Sequence, residues 1–160
     1  MSARVATCVC LLGLTAVGVG WADEPELKLT KEEQLIVDLT NKARAEKDLP
    51  PLKPNVRLFK VARAHAANMA KHQEMNHVLD GKNTFDRLRA AGYKFAWAGE
   101  NVAVTFHGLR PRAMFKGWMN SKVHHANIMR PGYTEIGIGI ARSKKGDYYY
   151  AQEFGSRKAR

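Results

Sequence analysis

At 160 residues and a formal charge of +11, the chain has the length of a single domain. Its two cysteines, Cys8 and Cys10, both lie at the extreme N-terminus, which excludes a disulfide scaffold for the rest of the chain. The positive charge is dispersed apart from a closing "SRKAR", which argues against a nucleic-acid footprint and for attraction to anionic polymers or lipid headgroups.

Residues 1–22 read as a secretory signal peptide. Arg4 precedes the charge-free apolar run "VATCVCLLGLTAVGVGW", small residues Gly20 and Ala22 follow, and "DEPELK" opens a polar mature start. A retained anchor is the alternative, although the run is short for a membrane span and diluted by Gly and Thr. A lipoprotein reading is weaker, because both cysteines come too early in the run. Removal of the leader leaves 138 of the 160 residues, no cysteine, and a charge lowered by Arg4 from +11 to +10. That length supports a hydrophobic core without staples. The expected location is secreted or periplasmic.

Residues 23–30 read as a linker. "TKEEQLIVDLTNKARAEKDL" predicts a helix opening on a capping box of Thr30 and Glu33, with Leu35, Ile36, Leu39 and Ala43 as its apolar stripe. "LPPLKPN" stops it, because proline cannot continue a helix. Asn55 then caps a second helix running to about Glu74, with Leu58, Val61, Ala62, His65 and Met69 on one face. "LDGKN" is a turn, and "TFDRLRAAGY" is a short helix closed by Gly92. Trp97 to Val104 predicts a short extended segment. A helix opens near Pro111 with Ala113, Met114, Trp118 and Met119 on its inner side. "EIGIGIAR" and "DYYYAQEFG" predict two strands joined by an "SKKG" hairpin turn. Trp118, Tyr93, Ile136 and Phe154 read as core, and "SRKAR" as a frayed end. The order of elements implies an α+β domain with helices packed on a mostly antiparallel sheet.

The chemistry-bearing residues are few. Glu100 sits in "GENVAV" between Gly99 and Asn101, in an apolar stretch where a carboxylate becomes buried and needs partners. Histidine is a natural partner, since each fixes the other's protonation state. His77 follows the second helix, where it can turn back over the sheet; His124 and His125 follow "WMNS". His65 reads as a hydrogen-bonded core residue, His72 as solvated, and His107 as a loop residue. Asn127 reads as a backbone-bonding residue in the loop before the final hairpin. Two imidazoles with a carboxylate can bind a divalent ion such as zinc, perform acid–base work on a water, or simply brace loops. There is no His-Glu-x-x-His or Gly-x-Ser-x-Gly motif.

The segments "LTNKARAEKDLPPL", "ARAHAANMA", "RAAGY", "GENVA", "WMNSKVHHANIM", "YTEIGIGIA" and "YYYAQEFG" together resemble the CAP superfamily, also called SCP: cysteine-rich secretory, antigen-five and plant pathogenesis-related proteins. The look is closest to its short, cysteine-free bacterial members and covers residues 31–155. The resemblance implies a three-layer α-β-α sandwich with a small, mostly antiparallel sheet. It also implies a central cleft lined, in animal and plant members, by two histidines and two glutamates. The first histidine matches His77, the first glutamate Glu100 and the second histidine His124. The second glutamate falls at Ser121, where the acid is missing; Glu135 is a candidate replacement. His77 and His124 would be the ligands of a zinc or other divalent cation. Family roles include lipid or sterol binding, metal binding and proposed proteolysis. The leading expectation is a monomeric binding module at the cell envelope, with a lipid or an anionic cell-wall polymer as partner and no nucleic acid. A hydrolase using Glu100 as base or orienter, and a structural protein with an inactive cleft, are the alternatives.

Overall fold

The computed structural model of the chain describes residues 26–158. The leader expected at 1–22, the first residues 23–25 of the expected linker and the chain end at 159–160 lie outside the described residues.

Helix α1, Lys31–Ala45, starts on the expected capping box: Thr30 Oγ1 accepts from the Glu33 amide at 3.2 Å, and Glu33 Oε2 accepts from the Thr30 amide at 2.9 Å. Its buried stripe is centred on Ile36, Val37, Thr40, Ala43 and Arg44, with Leu35 and Leu39 at its margins. Helix α2, Val56–His72, is capped by Asn55 Oδ1, which accepts from the amides of Arg57 and Leu58. It ends just short of Glu74, because Gln73 takes a left-handed conformation at φ 56°. Helix α3, Thr84–Ala90, closes at Gly92, whose φ of 70° glycine adopts without penalty.

Strands β1 (Lys53–Pro54), β2 (Phe95–Thr105), β3 (Glu135–Arg142) and β4 (Tyr148–Arg157) form one sheet in the order β1-β3-β4-β2. Only the short β1–β3 pairing is parallel. The segment expected over Trp97–Val104 is a full strand of eleven residues and forms an edge of the sheet. Two further helices, α4 (Pro111–Asn120) and α5 (Lys122–Ile128), follow it. Ala113 is exposed on α4, and Phe115 takes the inward place beside Met114 and Trp118.

Strand alternation sorts the core into two compartments. One face of the sheet carries Val102, Tyr149 and Ala151 against Ala62, Ala66 and Met69 of α2. The other carries Ile136, Ile138, Tyr150 and Phe154 against α1 and α4. Helices on both faces of a four-stranded, mostly antiparallel sheet make the three-layer α-β-α sandwich. The glycines alternating with isoleucine in β3 have a packing reason. A Cβ at Gly137 would strike the backbone of Leu58 and Phe59, and one at Gly139 that of Ala62 and Arg63, so α2 lies directly on the strand.

Both ends of the domain are better anchored than the sequence suggested. Leu27 and Leu29 of the linker pack on the core, and the backbone carbonyl of Lys28 accepts from Arg63 at 2.7 Å. At the other end β4 runs on to Arg157, which pairs with Phe95 and lies 3.2 Å from Glu135, so the first residues of "SRKAR" are strand.

Candidate functional site

Glu100 lies on β2 with its side chain toward the α2 layer and is only 6 % exposed. The loop after α2 returns over the strand and places His77 Nδ1 at 2.7 Å from Glu100 Oε1. From α3, Thr84 Oγ1 donates to the same oxygen at 2.9 Å, and Arg87 Nη2 donates to Oε2 at 2.6 Å. His65 Nε2 of α2 stands 3.6 Å from Oε2 and bonds the Asn76 carbonyl at 3.0 Å. The carboxylate is thus fully occupied, and four elements meet on it.

Directly across the ladder from Glu100 is Glu153 of β4, 0 % exposed. Neither of its oxygens meets hydrogen-bond geometry with a neighbour, and the register together with the Glu100 charge acting on it puts its carboxyl beside that of Glu100. Like charges in directly opposed positions repel, and water cannot screen this pair. Burial and the Glu100 charge push Glu153 well above the ordinary carboxylate range. Burial alone would raise Glu100 as well. The His77 bond, the adjacent Glu153 carboxyl and the Arg87 charge outweigh it and hold Glu100 well below that range. The negative charge of the pair is therefore favoured on Glu100 and disfavoured on Glu153. His77 is raised chiefly by its bond to Glu100, whereas burial lowers His65.

His124 reaches the same region from the opposite layer. It lies on α5, and a chain of buried polar side chains fastens that helix to the sheet. Asn127 Nδ2 donates to the Glu100 carbonyl at 3.2 Å and to Asn101 Oδ1 at 2.9 Å. Asn101 Nδ2 donates to the His124 carbonyl at 3.2 Å and to Gln152 Oε1 at 3.0 Å, and Gln152 Nε2 continues to Thr40 Oγ1 at 2.9 Å. Trp118 Nε1 donates to the Val102 carbonyl at 3.1 Å. Asn127 and Trp118 thereby occupy carbonyls along the edge strand. Asn127 does bond backbone as the sequence suggested, but from a helix rather than a loop. Burial and the nearby His77 charge lower the His124 pKa.

Beside His124 opens a groove of about 600 Å³. Its wall is mainly apolar, with Val102, Val104, Phe106, Met114 and Trp118, and Ser121 and His124 also line it. Met75 and Phe106 are large apolar residues left exposed at this groove.

A model of the cysteine-rich secretory protein family, CAP, matches residues 37–154. The chain belongs to the CAP family. The CAP chain is 35 % identical over 113 residues to the uncharacterized protein YkwD of Bacillus subtilis (strain 168), covering 69 % of this chain and 43 % of that one. It therefore spans less than half the length of the curated relatives it matches. Among solved structures it resembles an extracellular protein containing an SCP domain from Bacillus anthracis, with TM-score 0.69 and 29 % identity, covering 83 % of this chain and 45 % of that one. The fold also matches an outer surface protein from Borrelia burgdorferi, with TM-score 0.75 and 19 % identity, covering 82 % and 97 % of the two chains.

Of the CAP residues named from sequence, the structure joins His77 to Glu100 and brings His124 and Ser121 to the adjoining groove. Glu135 is engaged elsewhere: it accepts from Tyr93 Oη at 2.6 Å and Asn55 Nδ2 at 2.9 Å and pairs with Arg157. The buried carboxyl beside Glu100 is Glu153 instead. Sequence reasoning missed it together with Thr84, Arg87 and the closeness of His65. The available signal was an acid on the inward alternation of "AQEFG", flanked on that face by Ala151 and Gly155. Among the described residues no group of three or more His, Cys, Asp or Glu is gathered to hold a metal ion.

Proposed function

We propose that this CAP domain is an exported binding module that uses the His77–His124 cleft to hold a divalent ion or a small polar group, with the adjoining groove taking a lipid or peptide chain. The observation that carries the reading is the 2.7 Å bond between His77 Nδ1 and the buried Glu100. A carboxylate on Nδ1 fixes the tautomer and presents Nε2 outward, an arrangement that orients metal-ligating histidines. His77 keeps half of its side chain exposed although its partner is buried. His124, held neutral by burial, supplies a second imidazole. The groove's apolar wall suits an acyl or apolar side chain. An envelope location agrees with the extracellular and outer-surface descriptions of the neighbours and with the basic charge. No helix among the described residues is long and apolar enough to cross a membrane.

A specific observation favours a second reading, in which the cluster is a brace. Glu100 ties the loop after α2 and helix α3 to the edge strand through His77, Thr84 and Arg87. The same saturation makes Glu100 an orienter rather than a general base, so a hydrolytic role would fall on the histidines.

Calorimetric zinc titration of the protein beside His77→Ala and His124→Ala, with a thermal melt of each, separates the readings. Stoichiometric binding lost in both variants supports the cleft. Unchanged or absent zinc binding with a lowered melting temperature in His77→Ala leaves only the brace.

A further inference from the structure

A second, separate pocket lies at the far end of β2. It has a volume of about 350 Å³ and is lined by Arg89, Gly92, Tyr93, Lys94, Phe95 and Lys158. Its walls come from the end of α3, the start of β2 and the end of β4. Three other surface pockets also carry three basic side chains, but each includes a carboxylate: Asp80, Glu26 and Glu46 respectively. This one has none.

The fold brings the bases of these side chains together. The Lys158 amide donates to the Lys94 carbonyl at 3.4 Å, which brings two lysines together where β2 begins and β4 ends. Like charges so placed repel, and a bound anion would turn that repulsion into attraction. The Arg89 guanidinium stands 5.7 Å over the Phe95 ring, and Phe95 in turn stacks with Tyr93 at 6.5 Å. That contact restrains the guanidinium near the pocket, and its planar fork suits phosphate oxygens. The acid nearest Arg89 is Asp86, at 3.3 Å, and both side chains are largely exposed. Such a surface pair contributes little and yields readily to a better anion.

We infer that the Arg89–Lys94–Lys158 pocket is a binding site for a phosphate group. The site is independent of the His77–His124 cleft, so its failure would leave that reading untouched. The same phosphate chemistry is offered by a soluble or polymer-borne phosphoester and by a phospholipid headgroup.

The test is amide chemical-shift titration of the purified protein with inorganic phosphate and with glycerol phosphate. Co-sedimentation with phosphatidylcholine vesicles, with and without phosphatidylglycerol, runs in parallel. The comparison is between Arg89→Gln/Lys94→Gln/Lys158→Gln and a control with the same charge loss, Lys42→Gln/Arg112→Gln/Lys116→Gln. The expected result is saturable shifts at Gly92–Phe95, weakened at least tenfold in the first variant and less than twofold in the control. Binding of glycerol phosphate in solution identifies a free or polymer-borne ester. Binding that needs phosphatidylglycerol identifies a headgroup. The inference is overturned if none of the probes binds, or if both variants weaken binding equally, which would reduce the effect to net charge.

Discussion

Replacing Glu153 with glutamine should make the protein more stable at neutral pH, and the size of the gain should depend on pH in a defined way. In the folded chain Glu153 is fully buried beside the Glu100 charge, and its pKa is raised by that burial and that charge. In the unfolded chain it titrates near the ordinary glutamate value of about 4.3. Above that value the folded state binds one proton more than the unfolded state, so stability falls as pH rises, the reverse of the usual carboxylate case. The slope for one proton is about 1.4 kcal/mol per pH unit, sustained until the folded carboxyl itself ionises. Glutamine matches the neutral acid in shape and has no proton to gain. Urea denaturation of wild type and Glu153→Gln at half-unit steps from pH 4 to 8 should give curves that meet near pH 4 and diverge above it, by at most about 1.4 kcal/mol per unit, until the folded carboxyl ionises. Taking the difference removes the contribution of groups that do not interact with Glu153. Parallel curves would refute the reasoning, because they would mean that Glu153 ionises alike in both states and that Glu100 does not confront a neutral partner.

Zinc affinity, if the cleft binds it, should weaken more than tenfold between pH 7.5 and 5.5. The metal requires a neutral imidazole, and the His77 pKa is raised by its bond to Glu100, so protons compete there first; calorimetry at both pH values measures this. Arg44→Met should cost about 3 kcal/mol or more by urea denaturation. Arg44 is fully buried and donates to the backbone carbonyls of Pro50, Ile128, Arg130 and Tyr133, and methionine would remove all four of these bonds from a buried setting. Gly137→Ala should destabilise by about 2 kcal/mol or more, since the new methyl meets the α2 backbone and not a side chain that can turn aside; a thermal melt with unchanged transition would contradict the direct packing of α2 on β3.

Helix caps such as Thr30–Glu33 and Asn55, the stop at Gly92 and the final hairpin were legible in the sequence, because each is decided by residues a few positions apart. The alternation of "EIGIGIAR" fixed which residues share a face. The family resemblance located His77, Glu100 and His124, but it carried no information on the acid that this chain places beside Glu100. The Glu100–Glu153 pairing joins residues far apart in sequence through a register set only when β4 settles between β2 and β3. Glu135 has a similar local setting to that of a cleft acid, yet β3 delivers it to Tyr93, Asn55 and Arg157. Arg44 would read as a solvated helix residue until the loop carbonyls close over it. Local sequence determined the elements and their inward faces, because propensity, capping and periodicity act over one or two turns. The partners of each buried polar group were decided by tertiary structure, because desolvation is relieved only by whatever donor or acceptor the packed chain brings within reach.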